Sequence, residues 1–451
     1  MHTMRMHTMM RARAALRPLA LMAALALPVA CSTDEILQAD RPDFIDPGNL
    51  AGSLQGAAAL YAGAVGDMTV AVDGGNAGAA NNSGNGQVMA VGFFTDEFRF
   101  GGTPPELREM DLRNVREQNG AWLQTYIDLH RARESAERAA TALQAAAPDD
   151  ERRGTMLSFS GALHILLAEN YCSGAPISTT SPTLTYGPAS TTEETLQAAV
   201  VKLDAALAAA GSNADIRNLA AVLKGRALLD LGQFAAAAQA VAAVPTAFVY
   251  NLSHGAATPR QQSFTFTYMY NSQAFLVSDR EGTNGLNFAT ANDPRVPIEG
   301  DGGPSAFDQR TPRYFFGKYN SFGHQVVLAS GVEARLIEAE AALQAGNDAL
   351  WLQKLNEARS PYGMGALTDP GAQAARVDLT FRERAFALFA TSHRLGDLRR
   401  LVRQYNRPAE SVFPTGAYHK DNLTRGTDVN IVVPISEKNN PNFTGCLNRG
   451  A

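Results

Sequence analysis

Cysteine and charge are both scarce in this chain of 451 residues. There are three cysteines, and none stands at the spacing of a zinc-binding or redox pair. Charged residues make up only 18 %, and the formal net charge of −5 leaves no basic footprint for nucleic acid. The eight histidines are scattered, with no His-Glu-x-x-His helix. A Gly-x-Ser-x-Gly elbow, a Gly-Lys-Ser/Thr phosphate loop and a Gly-x-Gly-x-x-Gly turn opening a helix are missing as well. These gaps remove the familiar hydrolase, metallopeptidase and nucleotide-binding classes, and no metal or cofactor is expected. With 45 % apolar residues the chain is not disordered throughout, and its length suffices for a large core. Beyond the amino terminus no stretch is long and apolar enough to cross a bilayer as a helix.

The amino terminus reads as a targeting segment. Arg11, Arg13 and Arg17 precede an apolar run from Leu19 to Ala30, too short for a stable anchor. The run ends Leu27-Pro28-Val29-Ala30-Cys31-Ser32, which looks like a bacterial lipoprotein signal with Pro28 where a Leu is usual. The expectation is a signal over 1–30 and a lipid anchor on Cys31, firm because several acyl chains insert together. The alternative is ordinary cleavage at the Ala30 bond, leaving a soluble periplasmic protein. A lipidated Cys31 leaves Cys172 and Cys446, which in an oxidising envelope are expected to pair. Two isolated buried thiols are the other reading.

After a polar leader over 32–50, helical periods recur at about 50–70, 114–146, 153–171, 192–210, 214–231 and 233–244. Between the first two lies a loop over 74–86 too rich in Gly and Asn for a helix. Two segments look like tetratricopeptide-type hairpins. Gly225, Leu228, Gly232, Phe234, Ala237, Val241 and Val244 carry one; Ala339, Ala342, Gly346, Leu355 and Ala358 carry the other. The acidic run Asp149-Asp150-Glu151 opens a helix, where dipole compensation accounts for it. Residues 245–330 form a loop-rich, aromatic insert. Within it FTFTYMY (264–270) alternates strictly, predicting a short strand with Phe264, Phe266, Tyr268 and Tyr270 on one face.

Residues 379–401 predict one long helix, with Phe381, Ala385, Leu388, Ser392 and Leu395 as its apolar stripe. Arg382, Glu383, Arg384, Arg394, Asp397, Arg399 and Arg400 occupy the other faces, with Asp397 spaced for surface ion pairs to Arg394 and Arg400. The order of these residues resembles the late helix of the SusD/RagB family, outer-membrane lipoproteins that capture nutrients beside a TonB-dependent transporter. Thr391-Ser392 stand where that family usually has a Glu or Gly before the His. Further landmarks occur in the family's order: TDEF at 95–98, Asp293-Pro294-Arg295, Glu333 to Ala341, Leu355 to Arg359, and VNIVVPISEKNNPNF at 429–443. The resemblance implies one unit over 31–451, mainly α, a tetratricopeptide-like scaffold with the insert at about 245–330. It also implies an outer-membrane location, a SusC-like TonB-dependent partner, and a cargo handed on unchanged.

Catalysis has no residues to assign. His164, in an apolar helix, and His393 read as structural. Binding has more support, because sugars offer apolar C–H faces to aromatic rings and hydroxyls to amides; peptides can use a similar surface. The insert supplies Tyr268, Tyr270, Tyr314, Tyr319 and Phe322, with Asn271 and Asn320 nearby, as candidate ligand contacts. Packing of the insert onto the helices is the competing explanation of each ring. The expected function is capture of an oligomeric nutrient, glycan first and peptide second. A periplasmic helical-repeat scaffold and an envelope glycosidase with a hidden carboxylate pair are the alternatives.

Overall fold

A computed structural model describes residues 52–76, 84–180 and 183–451. The signal segment, Cys31, the leader over 32–50 and residues 77–83 of the glycine-rich loop lie outside the described residues.

The chain begins with α1 (Leu54–Asp73), whose first turn is capped by the Ser53 hydroxyl accepting from the Gly56 N–H. Then come α2 (Gln87–Phe94), β1 (Phe98–Phe100) and α3 (Pro105–Asp111). The predicted helical periods follow as α4 (Leu123–Ala146), α5 (Arg152–Asn170), α6 (Thr192–Ala209), α7 (Ala214–Asp230) and α8 (Phe234–Val241). Local chemistry sets their starts. Thr191 and Glu194 form a reciprocal capping box for α6, and Asn213 caps α7. Each helix packs on the next, α4 on α5, α5 on α6, α6 on α7 and α7 on α8, while α1 lies along α4.

The insert holds β2 (Val249–Ser253), α9 (Phe264–Phe266), β3 (Phe275–Val277), β4 (Ile298–Glu299), β5 (Phe315–Phe316) and β6 (Gln325–Ser330). Together with β1, its strands make three two-stranded antiparallel sheets among the described residues, β1–β3, β2–β6 and β4–β5. The chain then returns to helices: α10 (Gly331–Gln344), α11 (Asp348–Arg359), α12 (Gln373–Ala387), α13 (Arg394–Tyr405) and α14 (Ala409–Val412).

Both expected hairpins are present, as α7–α8 and α10–α11, and α8 packs against α10, so the two join despite the insert between them. Gly225 sits at that junction. A Cβ there would lie 2.4 Å from Val241 Cγ1 and 3.3 Å from Ile337 Cδ1, so only glycine lets these helices meet. The body is mainly helical, as expected. No described helix is long and apolar enough to cross a membrane.

Three expectations need correction. FTFTYMY is not a strand: it forms α9 and runs on as a π-helical turn over Thr267–Asn271. Ser263 caps this turn by accepting the Phe266 N–H, and the aromatic alternation splits into two i,i+4 stacks rather than one face. Residues 379–401 are not one helix: α12 ends at Ala387, and Ala390 (φ 60°) and Ser392 (φ 68°) turn the chain before α13. The expected Asp397–Arg400 ion pair is present, but it is buried rather than on the surface, and Arg394 pairs elsewhere. Asp397 is buried and receives Arg384 Nε at 2.8 Å and Arg400 Nη2 at 2.6 Å, whereas Arg394 turns to Asp96 at 2.7 Å.

These pairs belong to a buried ionic seam that ties the repeats together. Arg226 of α7 meets Glu333 of α10 at 2.6 Å, and Arg400 of α13 also reaches Glu340 of α10 and Asp230 of α7. Arg295, from the Asp-Pro-Arg segment, pairs with Glu383 of α12 at 2.6 Å. Arg399 donates to the carbonyls of Ala168 and Glu169 at 2.7 and 2.6 Å, placing a cation on the α5 C-terminus. The two other cysteines are joined: Cys172 and Cys446 form a disulfide across 274 residues, with Cα atoms 5.9 Å apart.

Candidate functional site

The insert builds a half-buried aromatic ribbon. On α9 and its π-turn, Phe264 and Tyr268 stack inward at 5.3 Å, while Phe266 and Tyr270 stack at 5.4 Å and remain partly exposed. The β4–β5 pairing places Glu299 opposite Phe315, and the Phe315 ring lies 4.8 Å from Tyr270. Phe322 meets the edge of Phe266 at 4.8 Å. Phe266, Tyr270 and Phe315 thus make a column of tilted, near-parallel rings with Phe322 at one end.

Polar groups edge the column. The Tyr270 hydroxyl donates to Glu299 Oε2 at 2.9 Å, and Asn320 Nδ2 reaches the other carboxylate oxygen at 3.5 Å. Burial, with the Glu299 carboxylate beside it, pushes the Tyr270 phenol up, so it stays a proton donor. Asn271, Glu299, Lys318 and Asn320 are exposed. Successive strand residues face opposite ways, so Phe316 points away from Phe315 into a neighbouring cleft of about 270 Å³. Lys318, Tyr319, Tyr362 and His393 also line that cleft. An apolar strip bordered by a carboxylate and an amide suits a ligand with both C–H and hydroxyl faces.

The sequence-based candidates divide accordingly. Tyr270 and Phe322 belong to the ribbon, Asn320 to its polar edge, and Asn271 follows Tyr270 as an exposed side chain. Tyr268 is 8 % exposed, packed with Phe264. Tyr319 is 2 % exposed and donates its hydroxyl to the Ala390 carbonyl at 2.7 Å, which makes it an internal strut. Tyr314 is half-buried beside Gly302, where its hydroxyl would meet a Cβ at 2.6 Å. Sequence reading missed Phe315 and Glu299, which join only through the β4–β5 pairing, and put Phe266 on the wrong element.

The two histidines read as structural are buried. His164 Nδ1 donates to the Ser160 carbonyl at 2.7 Å, and His393 Nε2 lies 3.3 Å from Glu333 Oε1. The TDEF segment anchors α13: besides Asp96 on Arg394, Glu97 Oε1 accepts the Ala390 N–H at 3.1 Å. Burial raises the Glu97 carboxyl to about 8, so it is protonated at neutral pH. A further buried group, Asp73, His254 and His324, converges where α1 meets the β2–β6 ribbon.

Fold and site together define a helical-repeat body bearing an aromatic surface insert. That is the fold of the SusD superfamily. A SusD superfamily protein of Bacteroides thetaiotaomicron superposes with a TM-score of 0.66 at 14 % identity, over 88 % of this chain and 100 % of that one. A SusD-like protein of Bacteroides fragilis gives 0.61 at 13 % identity, over 92 % and 99 %. A protein of Bacteroides vulgatus described as a SusD-like carbohydrate binding protein gives 0.59 at 18 % identity, over 77 % and 83 %. No protein-family model matches the sequence, and no curated protein does.

Proposed function

We propose that this chain is a nutrient-binding protein of the SusD type that holds an oligosaccharide on the Phe266–Tyr270–Phe315 ribbon and releases it unchanged to a TonB-dependent outer-membrane transporter. The observation that carries the reading is the ribbon itself, a partly exposed ring column edged by Glu299 and Asn320 on this fold. The structural relative described as carbohydrate binding supports glycan as the cargo class. The lipobox-like run ending in Cys31 supports an anchor in the outer membrane. Binding is modest by design, since affinity is set mostly by the off-rate and a tight cap would hand over slowly.

Titration calorimetry against a panel of bacterial and plant oligosaccharides tests this. One class should bind, and Tyr270→Ala should weaken it about tenfold, roughly 1.4 kcal/mol, with little change in Tm. Equal affinity in Tyr270→Ala and Phe266→Ala variants would remove the ribbon from the site. Cleavage of the bound glycan would instead support an envelope glycosidase. Co-purification from native membranes should recover a SusC-like barrel; recovery of other envelope proteins alone would favour a helical-repeat scaffold. Radioactive palmitate should label the wild type and spare Cys31→Ala.

A further inference from the structure

The group Asp73, His254 and His324 is assembled from three distant parts of the chain. Asp73 is the last residue of α1, His254 follows β2 and His324 precedes β6. Ser253 and Gln325 are register partners, and the His254 N–H donates to the His324 carbonyl at 3.2 Å, so the hairpin's next step sets the two imidazoles side by side. All three side chains are buried.

Hydrogen bonding fixes the tautomers. His254 Nδ1 lies 3.0 Å from the Gln261 carbonyl, and His324 Nδ1 lies 3.0 Å from the Ser321 carbonyl. A carbonyl only accepts, so each Nδ1 carries its proton and each ring turns its Nε2, the atom free to take a metal, toward Asp73. Both rings converge on one carboxylate: the Nε2 atoms lie 2.9 and 3.0 Å from Asp73 Oδ2. Asp73 Oδ1 has no hydrogen-bond partner. Without a metal, protons shared between the Nε2 atoms and Asp73 hold these three buried ligand atoms together and leave Asp73 Oδ1 unpaired; a dication at their centre would displace those protons and engage the carboxylate.

We propose that Asp73, His254 and His324 bind a structural zinc ion. Zinc takes imidazole nitrogen at about 2.0–2.1 Å and carboxylate oxygen at about 2.0–2.2 Å, which sets tetrahedral ligand atoms roughly 3.3 Å apart. The observed Nε2–Oδ2 separations approach that edge. A donor set of two imidazoles and one carboxylate suits zinc, whereas calcium and magnesium prefer all-oxygen sites. The surrounding groups do what outer partners of metal ligands do. Backbone carbonyls orient both rings, Tyr319 stacks on His324 at 4.2 Å, and the Ser263 hydroxyl donates to Asp73 Oδ2 at 2.8 Å. Thr265 Oγ1 also donates to the Asp73 carbonyl at 3.0 Å. Ser263 caps the turn that bears Phe266 and Tyr270, so the ion would pin the aromatic ribbon to α1. The zinc assignment does not depend on what the ribbon binds.

The test uses the full folded chain, equilibrated with zinc, freed of unbound metal and assayed by mass spectrometry for metal content. About one zinc per chain is expected, with X-ray absorption showing a nitrogen/oxygen shell near 2.0 Å that includes two imidazoles. His254→Gln and His324→Gln should each lose the metal. Chelation should lower the wild-type Tm by several degrees, restored by zinc and not by calcium. A folded wild-type chain holding no zinc above background, with a Tm indifferent to chelator, overturns the proposal. So does full zinc content in the His254→Gln/His324→Gln double variant. Should the variants fail to fold, the wild-type metal content and absorption spectrum decide alone.

Discussion

Asp397→Asn isolates the buried ionic seam, because it keeps the side-chain shape and removes one charge. In the wild type Asp397 receives Arg384 Nε at 2.8 and 3.0 Å and Arg400 Nη2 at 2.6 Å. Without it Arg400 keeps Glu340 and Asp230, but the nearest carboxylate left to Arg384 is Glu340 at 3.9 Å. The loss therefore falls mainly on Arg384, a guanidinium buried without a full counter-charge. Breaking one partner of a buried pair costs about 3–5 kcal/mol. For roughly 400 residues the unfolding entropy is about 0.8 kcal/mol per degree, so Tm should fall by about 4–6 °C at pH 7. Asp378→Asn is the control, because its pair with Arg407 is largely exposed and should be worth under about 1 kcal/mol. Burial alone would raise the Asp397 carboxyl, but the Arg384 and Arg400 guanidiniums outweigh it and hold the group well below the usual range. A lowered folded pKa gives stability that is present above the unfolded value, about 3.9, and lost as pH falls. The gap between wild type and Asp397→Asn should accordingly narrow below about pH 4. Calorimetric melting of the three proteins across pH measures this. An Asp397→Asn melting within a degree of the Asp378→Asn control would refute the seam's role.

Glu97 carries the opposite sign. Its folded carboxyl is raised to about 8, so its contribution is full at low pH and is lost as pH rises, by up to about 1.4 kcal/mol per unit between about 4.5 and 8. Glu97→Gln should flatten that slope in pH-dependent denaturant unfolding, and an unchanged slope would count against a buried acid. Cys446→Ser should cost about 2–5 kcal/mol and remove the sensitivity of Tm to reductant, since the bond closes a very long loop. Gly225→Ala should destabilise by about 1–3 kcal/mol, despite alanine's better helix propensity, because its methyl meets Val241. A stabilised Gly225→Ala protein would show that α7 and α8 do not approach as described.

The helical repeats were legible in the chain because their information is local. Capping residues such as Thr191 and Asn213, the turn glycine Gly232 and the 3.6-residue apolar period act over a few positions, and the helices formed near where they predict. The cysteine pairing matches the expectation drawn from the count once Cys31 is set aside. What the sequence could not show was the partner of a residue far along the chain. FTFTYMY alternates like a strand, yet the Ser263 cap and inward packing of Phe264 and Tyr268 wind it into a helical turn. The charges of residues 382–400 look like a salt-bridged surface until Asp96, Asp230 and Glu340 arrive from other parts of the fold and pair with them in the interior. The ribbon's Phe315 and Glu299, and the meeting of Asp73 with two histidines, likewise arise only from strand pairing and packing. Composition and short-range periodicity determined the repeat helices of this protein; the tertiary structure alone decided its sites, because long-range contacts leave no spacing in the sequence to read.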